Sequence, residues 1–190
     1  MKYIATILIV LASASAFSKN ICNGQTNVEI TGCVQENYRS ADNDLNSIYD
    51  NVLGKIPSSS KKSFIATQRA WIAYKDKYCN LAFEATAPGA EAPIDKWSCL
   101  TSVTEARANE IRYFYSSIGM DDFRRSLAVM ANLYENGDAS RVLSKLVKNT
   151  PDGDDPDWLK YVNLNCKMTS EKLQEDRETC IARLNFYKNW

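Results

Sequence analysis

Apolar residues recur along this chain at helical rather than strand spacing. Tyr38, Ala41, Leu45, Ile48, Tyr49, Val52, Leu53 and Ile56 form one face of a helix about five turns long. Pro57 ends it, because proline cannot continue the hydrogen-bond ladder. Ser58-Ser59-Ser60 can cap a second helix, whose broad apolar face carries Phe64, Ile65, Trp71, Ile72, Tyr74, Tyr78 and Ala82. Pro88, Gly89 and Pro93 then break the pattern and predict a loop over 85–95. A third helix is expected from about Ser98, with Leu100, Val103, Ile111, Phe114, Tyr115 and Ile118. Before Tyr38 the chain is polar and turn-rich, with Asn23-Gly24 and Thr31-Gly32, and reads as a short lead-in.

Gly119 and Asp121-Asp122 mark a boundary. Beyond it Phe123, Leu127, Met130, Ala131 and Tyr134 form a helix stopped at Asn136-Gly137, and Asp138 can cap the next, with Val142, Leu143, Leu146 and Val147. This pair is similar to one hairpin of a helical solenoid. A lone unit packs on something else, since about three are needed to make a solenoid. Pro151 to Pro156 reads as a loop, and helices over about 157–168 and 171–189 finish the chain. Period-two alternation is nowhere sustained, so the fold class is all-α, a helical bundle of about six to seven helices. One echo stands out: Trp71-x-x-Tyr74-x-x-x-x-Cys79 returns as Trp158-x-x-Tyr161-x-x-x-x-Cys166. A shared helix–disulfide–helix plan explains it, the second copy extending the core.

The N-terminus decides the expected compartment. Lys2 precedes the apolar run Ile4 to Ala12, and Ala14-Ser15-Ala16 fits the small-x-small site of signal peptidase. Residues 1–16 therefore read as a removed signal peptide, 17–118 as a first helical domain and 119–190 as a C-terminal extension. The first cysteine, Cys22, follows Lys19-Asn20-Ile21, which is no lipidation site, so a periplasmic or secreted, soluble protein is expected. Removing Lys2 leaves 22 basic against 23 acidic residues, a balance that favours neither nucleic acid nor a membrane surface. All six cysteines lie beyond the cleavage site, and in an oxidising compartment they predict three disulfides. They fall in close couples, so the expected pairs are Cys22–Cys33, Cys79–Cys99 and Cys166–Cys180. Each closes a loop worth roughly 3 kcal/mol.

The sequence has no histidine. Ser-His-Asp and Cys-His catalysis and histidine metal sites are thereby excluded, and without a C-x-x-C a zinc site is not expected either. The chain reads as a binding protein rather than an enzyme, with no metal and no cofactor.

Three blocks carry a family resemblance: Tyr38-x-x-Ala41-Asp42-x-x-Leu45-Asn46-x-x-Tyr49, Gln68-Arg69-Ala70-Trp71-Ile72-x-Tyr74-x-Asp76-x-x-Cys79, and Cys99 with Thr104-x-x-Arg107. Over roughly residues 22–115 the chain closely resembles the LprI-like family of exported bacterial proteins, named for a lysozyme inhibitor. The resemblance implies a helical, cysteine-bearing protein that binds a lysozyme-like wall hydrolase. An immunity protein against a wall-degrading toxin and a non-inhibitory envelope scaffold are the alternatives.

On helical wheels Asp42, Gln68 and Arg107 fall inside apolar stripes. A buried charge must be paired, so Asp42 is expected to pair with Arg107, with Arg69 the second choice, while Gln68 and Asn46 satisfy nearby polar groups. Trp71, Tyr74, Trp158 and Tyr161 read as core. Trp97 is the candidate exposed anchor, at the end of a loop over 84–97 that carries Glu84, Glu91, Asp95 and Lys96. Closed by Cys79–Cys99, that loop could plug an enzyme cleft.

Overall fold

Thr26 starts the first helix with a capping box. Its hydroxyl accepts the Glu29 N–H at 3.2 Å, and the Glu29 carboxylate accepts the Thr26 N–H at 3.1 Å, so two orphan donors are satisfied at once. The computed structural model describes residues 21–148 and 153–188, and this cap sets the start of α1 (Asn27–Lys55). The helix thus begins eleven residues before Tyr38, inside what the sequence pattern reads as a lead-in. Gly32 does not break it, because it sits on the solvent face with nothing packed around it. The proposed signal peptide and Phe17 lie outside the described residues, as does Pro151.

After Pro57 comes α2 (Ser58–Thr86), then α3 (Ala92–Ser116). Ser58–Ser60 form the first turn of α2 and do not cap it; Pro57 holds the cap position with no side-chain bond. The expected loop over 84–97 is corrected to a five-residue turn, 87–91. Pro93 does not delay α3 because it lies in the first turn, where a missing N–H costs nothing. Next come α4 (Asp121–Tyr134), α5 (Ala139–Lys148), α6 (Pro156–Leu173) and α7 (Arg177–Lys188). Gly137, at φ +86°, turns the chain after α4 and donates its N–H to Ala131 O at 2.8 Å. Asp138 then accepts the Ser140 and Arg141 N–H groups at the start of α5, and Asp155 caps α6 through the Asp157 and Trp158 N–H groups.

Helices from both sides of Gly119 share one core. Leu45, Val52 and Ile56 of α1, Phe64, Trp71 and Tyr74 of α2, and Ile111 and Phe114 of α3 pack with Trp158, Tyr161, Val162 and Met168 of α6 and Leu184 of α7. The two echoed motifs meet there: the Tyr74 ring lies 4.8 Å from Trp158 and 6.3 Å from Tyr161. A smaller core joins α4, α5 and α7 through Phe123, Ala182 and Phe186, with Leu127, Leu143, Leu146 and Val147 against them.

The cysteines pair as nearest neighbours, with Cα–Cα distances of 5.7, 5.5 and 5.7 Å. Cys79–Cys99 staples α2 to α3, Cys166–Cys180 staples α6 to α7, and Cys22–Cys33 clips the lead-in onto α1. Two stapled hairpins therefore face each other through their Trp-x-x-Tyr motifs. No helix among the described residues is long and apolar enough to cross a membrane.

Truncation after Ser117 would uncover Trp71, Tyr74 and the buried face of α3. The shortened chain is expected to lose cooperative unfolding by circular dichroism, and a sharp, wild-type-like melt would contradict this shared core.

Candidate functional site

Among the sequence-predicted polar residues, the structure buries Gln68 and Arg107 and leaves the rest near the surface. Arg107, 1% exposed, donates from Nε to Gln68 Oε1 at 2.9 Å and from Nη1 to Asn165 Oδ1 at 2.9 Å, with Tyr161 Oη at 3.4 Å. Asn165 turns its other end to α3, where Nδ2 donates to Glu110 Oε1 at 2.6 Å. Glu110 accepts a second bond from Arg183 Nη1, and Arg183 holds Glu175 with a two-pronged contact at 2.8 and 2.7 Å. The seam joins two arginines to two glutamates, so its formal charge cancels. Burial alone would lower the Arg183 pKa, but Glu110 and Glu175 more than offset it, and the guanidinium stays charged.

The expected Asp42–Arg107 pair is not formed. Asp42 is half-buried and accepts Asn46 Nδ2 at 3.1 Å on the outside of α1; Asn46 and Arg69 are exposed. The buried set of α1 is Val34, Asn37, Ala41, Leu45 and Val52. On a wheel of about 100° per residue Asp42 lies roughly 90° from the centre of that set. Tyr38 and Tyr49 pulled the sequence-based stripe toward Asp42, yet both are half-buried, as suits rings that keep a polar tip near water. Asn165, which accepts from Arg107, and Glu110, which Asn165 links to it, escaped the sequence reading. Asn165 comes from a helix more than fifty residues away, and no local spacing marks it.

The Nη2 atom of Arg107 is buried with no hydrogen-bond partner among the described residues. Arg107 and Glu110 line a cavity of about 30 Å³ with Trp71, Tyr74, Trp158 and Tyr161. That volume suits a water or two and is far below that of a small-molecule site. The seam is a structural device. No group of three or more His, Cys, Asp or Glu among the described residues could hold a metal ion.

The residues of the expected 84–97 loop gather at one end of the bundle. Tyr49 stacks on Phe64 at 5.0 Å, Tyr38 lies 5.4 Å from Trp97, and Lys75 Nζ donates to Tyr38 Oη at 3.3 Å. These contacts run α1 antiparallel to α2 and parallel to α3, and place Asn27 level with Thr86 and the 87–91 turn. Helix α6 begins beside Lys77, which pairs with its cap Asp155. The last two turns of α2 and the first two of α3 therefore project past the start of α6. Cys79–Cys99 braces the base of this tip, and the Cys22–Cys33 clip stands beside it.

The predicted loop residues lie on the tip, but as helix and turn positions. Glu84 is exposed and accepts Asn80 Nδ2 at 2.6 Å; Glu91 is exposed at the cap position of α3; Asp95 accepts the Thr86 hydroxyl at 2.9 Å. Lys96 Nζ lies 5.7 Å from the Phe83 ring centroid. Trp97 is corrected from exposed anchor to half-buried packing against Tyr38. The most exposed apolar residues here are Ile21 and Val28, 89% and 82% exposed; they carry no sequence signal, because both lie in the stretch whose pattern reads as a polar lead-in. Glu29, Glu36, Glu84, Glu91 and Asp95 outnumber Arg39 and Lys96, so the end is acidic. Backbone N–H groups of Thr26 and Gln25 hold the Glu29 carboxyl below its usual range.

The family model described as lysozyme inhibitor LprI matches residues 20–111. An uncharacterized protein of Rhizobium meliloti (strain 1021) is 33% identical over 104 residues, 47% of this chain and 74% of that protein. The chain belongs to the LprI family. No solved structure matches it. The LprI segment contains α1, α2 and the tip, and supplies Gln68, Arg107 and Glu110 to the seam. Asn165, Glu175 and Arg183 come from outside the LprI segment.

Two measurements check the seam. Removing one partner of a buried pair costs about 3–5 kcal/mol, so Glu110→Ala should lower urea-unfolding stability by that much, whereas Asp42→Ala should stay within about 0.5 kcal/mol of wild type. Burial pushes the Tyr161 phenol up to about 12 from 10.0, against the pull of Arg107. An unfolded tyrosine ionises first, so Tyr161 leaves stability unchanged below pH 10 and removes about 3 kcal/mol of it as the pH rises to about 12. Tyr161→Phe should flatten that alkaline loss, and an unaltered slope would show that other groups cause it.

Proposed function

We propose that this protein acts outside the cytoplasm as an inhibitor of a lysozyme or a related peptidoglycan hydrolase, and that the stapled tip is its inhibitory element. Membership of the LprI family is the observation that carries this reading. Three disulfides among the described residues support an oxidising compartment, and with it removal of residues 1–16 as a signal peptide. The tip has the physical properties that blocking a cleft requires. It projects, it is braced by covalent staples that reduce the entropy lost on binding, and its Glu84, Glu91 and Asp95 offer acidic groups around the small residues of the 87–91 turn. Ile21 and Val28 add exposed apolar area on the neighbouring clip, which a partner can bury. An acidic tip suits a hydrolase with a basic cleft rim, where complementary charge speeds encounter.

The test is a lysis assay with oxidised residues 17–190 titrated against a panel of wall hydrolases on cell-wall substrate. Stoichiometric inhibition of one enzyme is expected. The variant Glu84→Lys/Glu91→Lys, altering exposed residues only, should raise the inhibition constant at least tenfold with an unchanged melting temperature. Inhibition unaffected by that variant would remove the tip from the mechanism, and no inhibition across the panel would remove the inhibitor reading.

A further inference from the structure

Across the seam two arginines balance two glutamates, but the balance is not local. Arg183 donates to both carboxylates, from Nη1 to Glu110 and from Nε and Nη2 to Glu175 at 2.8 and 2.7 Å. Arg107 touches no carboxylate among the described residues: its bonds go to Gln68, Asn165 and Tyr161, all neutral. Neither oxygen of Glu110 turns to it, since Oε1 accepts from Asn165 and Oε2 from Arg183. A guanidinium on a residue 1% exposed thus rests on neutral acceptors, and its Nη2 has none. Burying a charge is costly unless one of opposite sign pairs with it.

The cavity of about 30 Å³ that Arg107 lines is where this charge can be met. Its walls are mostly aromatic and apolar, from Trp71, Tyr74, Trp158 and Leu184. Its charged lining groups are Arg107, Glu110 and Lys188, two cations to one carboxylate. The Tyr161 hydroxyl, which accepts from Arg107, has its own hydrogen to turn into the same space. Burial pushes that phenol up to about 12, so it keeps the hydrogen at neutral pH. A water would offer the Nη2 donors only a dipole. An anion offers the missing charge, in surroundings whose low dielectric strengthens the attraction. Volume sets the class: the space of a water or two takes a monatomic ion and excludes sulfate, phosphate and organic acids.

We propose that this cavity is a binding site for chloride or a similarly small monovalent anion, held by the Nη2 donors of Arg107 and the Tyr161 hydroxyl, with Lys188 as a second cation. The ion ties together α3, which supplies Arg107, α6, which supplies Tyr161, and α7, which supplies Lys188. It therefore bridges the LprI segment and the C-terminal hairpin, and its binding strengthens their docking by mass action. The site stands on the geometry of the seam and not on the inhibitor reading, and its test involves no hydrolase.

Bromide, an anomalous scatterer, stands in for chloride in the first measurement. Crystals of the oxidised chain soaked in sodium bromide should show an anomalous peak within hydrogen-bond distance of Arg107 Nη2. In solution, exchanging gluconate, which is too large for the cavity, for chloride at constant ionic strength should raise the melting temperature by about 3 °C. Tyr161→Phe and Lys188→Gln keep the ring and the aliphatic stem while removing the donor, and each should at least halve that rise. A cavity that holds water only gives no bromide peak beside Arg107 and equal melting in the two salts. Either result overturns the proposal, as does a chloride-dependent rise that both variants leave at its wild-type size.

Discussion

Arg107 sits in the middle of the bundle with its guanidinium out of reach of bulk water, and much of the structure follows from the need to keep that charge satisfied. A lone buried charge is untenable. The partners needed to hold it come from α2 and α6, and the glutamate that completes the charge count stands one turn further along α3. Asn165 is the hinge of the arrangement, because its carbonyl accepts from Arg107 while its amide donates to Glu110. Rotating α6 by one residue would swing that amide by about 100° and leave both charges without it. Apolar contacts between the facing hairpins tolerate small slips; this amide does not. The seam therefore fixes the register in which α6 and α7 dock on the LprI segment.

The echoed motif gives that docking its apolar half. Trp71 and Tyr74 on α2 meet Trp158 and Tyr161 on α6, and each motif ends in a cysteine that staples its helix to the next. Each staple ties together only its own hairpin. Apart from the main chain through α4 and α5, everything that ties one hairpin to the other is non-covalent, which places the burden of pairing specificity on the seam and the aromatic cluster between the staples.

Helix periodicity and cysteine order carried most of the fold in the sequence. Long apolar stripes survive local errors, and couples of cysteines a few turns apart have short loops to close. Starts of helices were less legible for identifiable reasons. The capping box at Thr26 and the first-turn Pro93 both look like turn signals in a one-dimensional reading, and both in fact begin helices. The polar core was half legible. Arg107 and Gln68 announce themselves as polar residues in apolar stripes, but their partners arrive from a distant helix, and half-buried tyrosines displaced the wheel of α1 enough to make Asp42 look internal. The outward apolar residues Ile21, Val28 and Leu133 carry no pattern of their own; only the packing shows which side of a helix is left over.

The proposed inhibitory tip lies apart from the buried seam, and this determines how substitutions should be interpreted. A change in the seam acts on every helix that meets there, so loss of activity at Arg107 or Asn165 says nothing about where a partner binds. Glu84 and Glu91 at the tip are different: they face water, and exchanging their charges leaves the core untouched. Cys79–Cys99 has a part in both roles. It lies where the tip leaves the bundle, so the motion it suppresses is that of the projecting turns, while the packing below it is already secured by Trp71, Tyr74 and the seam. Cys79 is itself fully buried in a small core with Leu100 and Val103, so the staple supports that core and stiffens the turns beyond it.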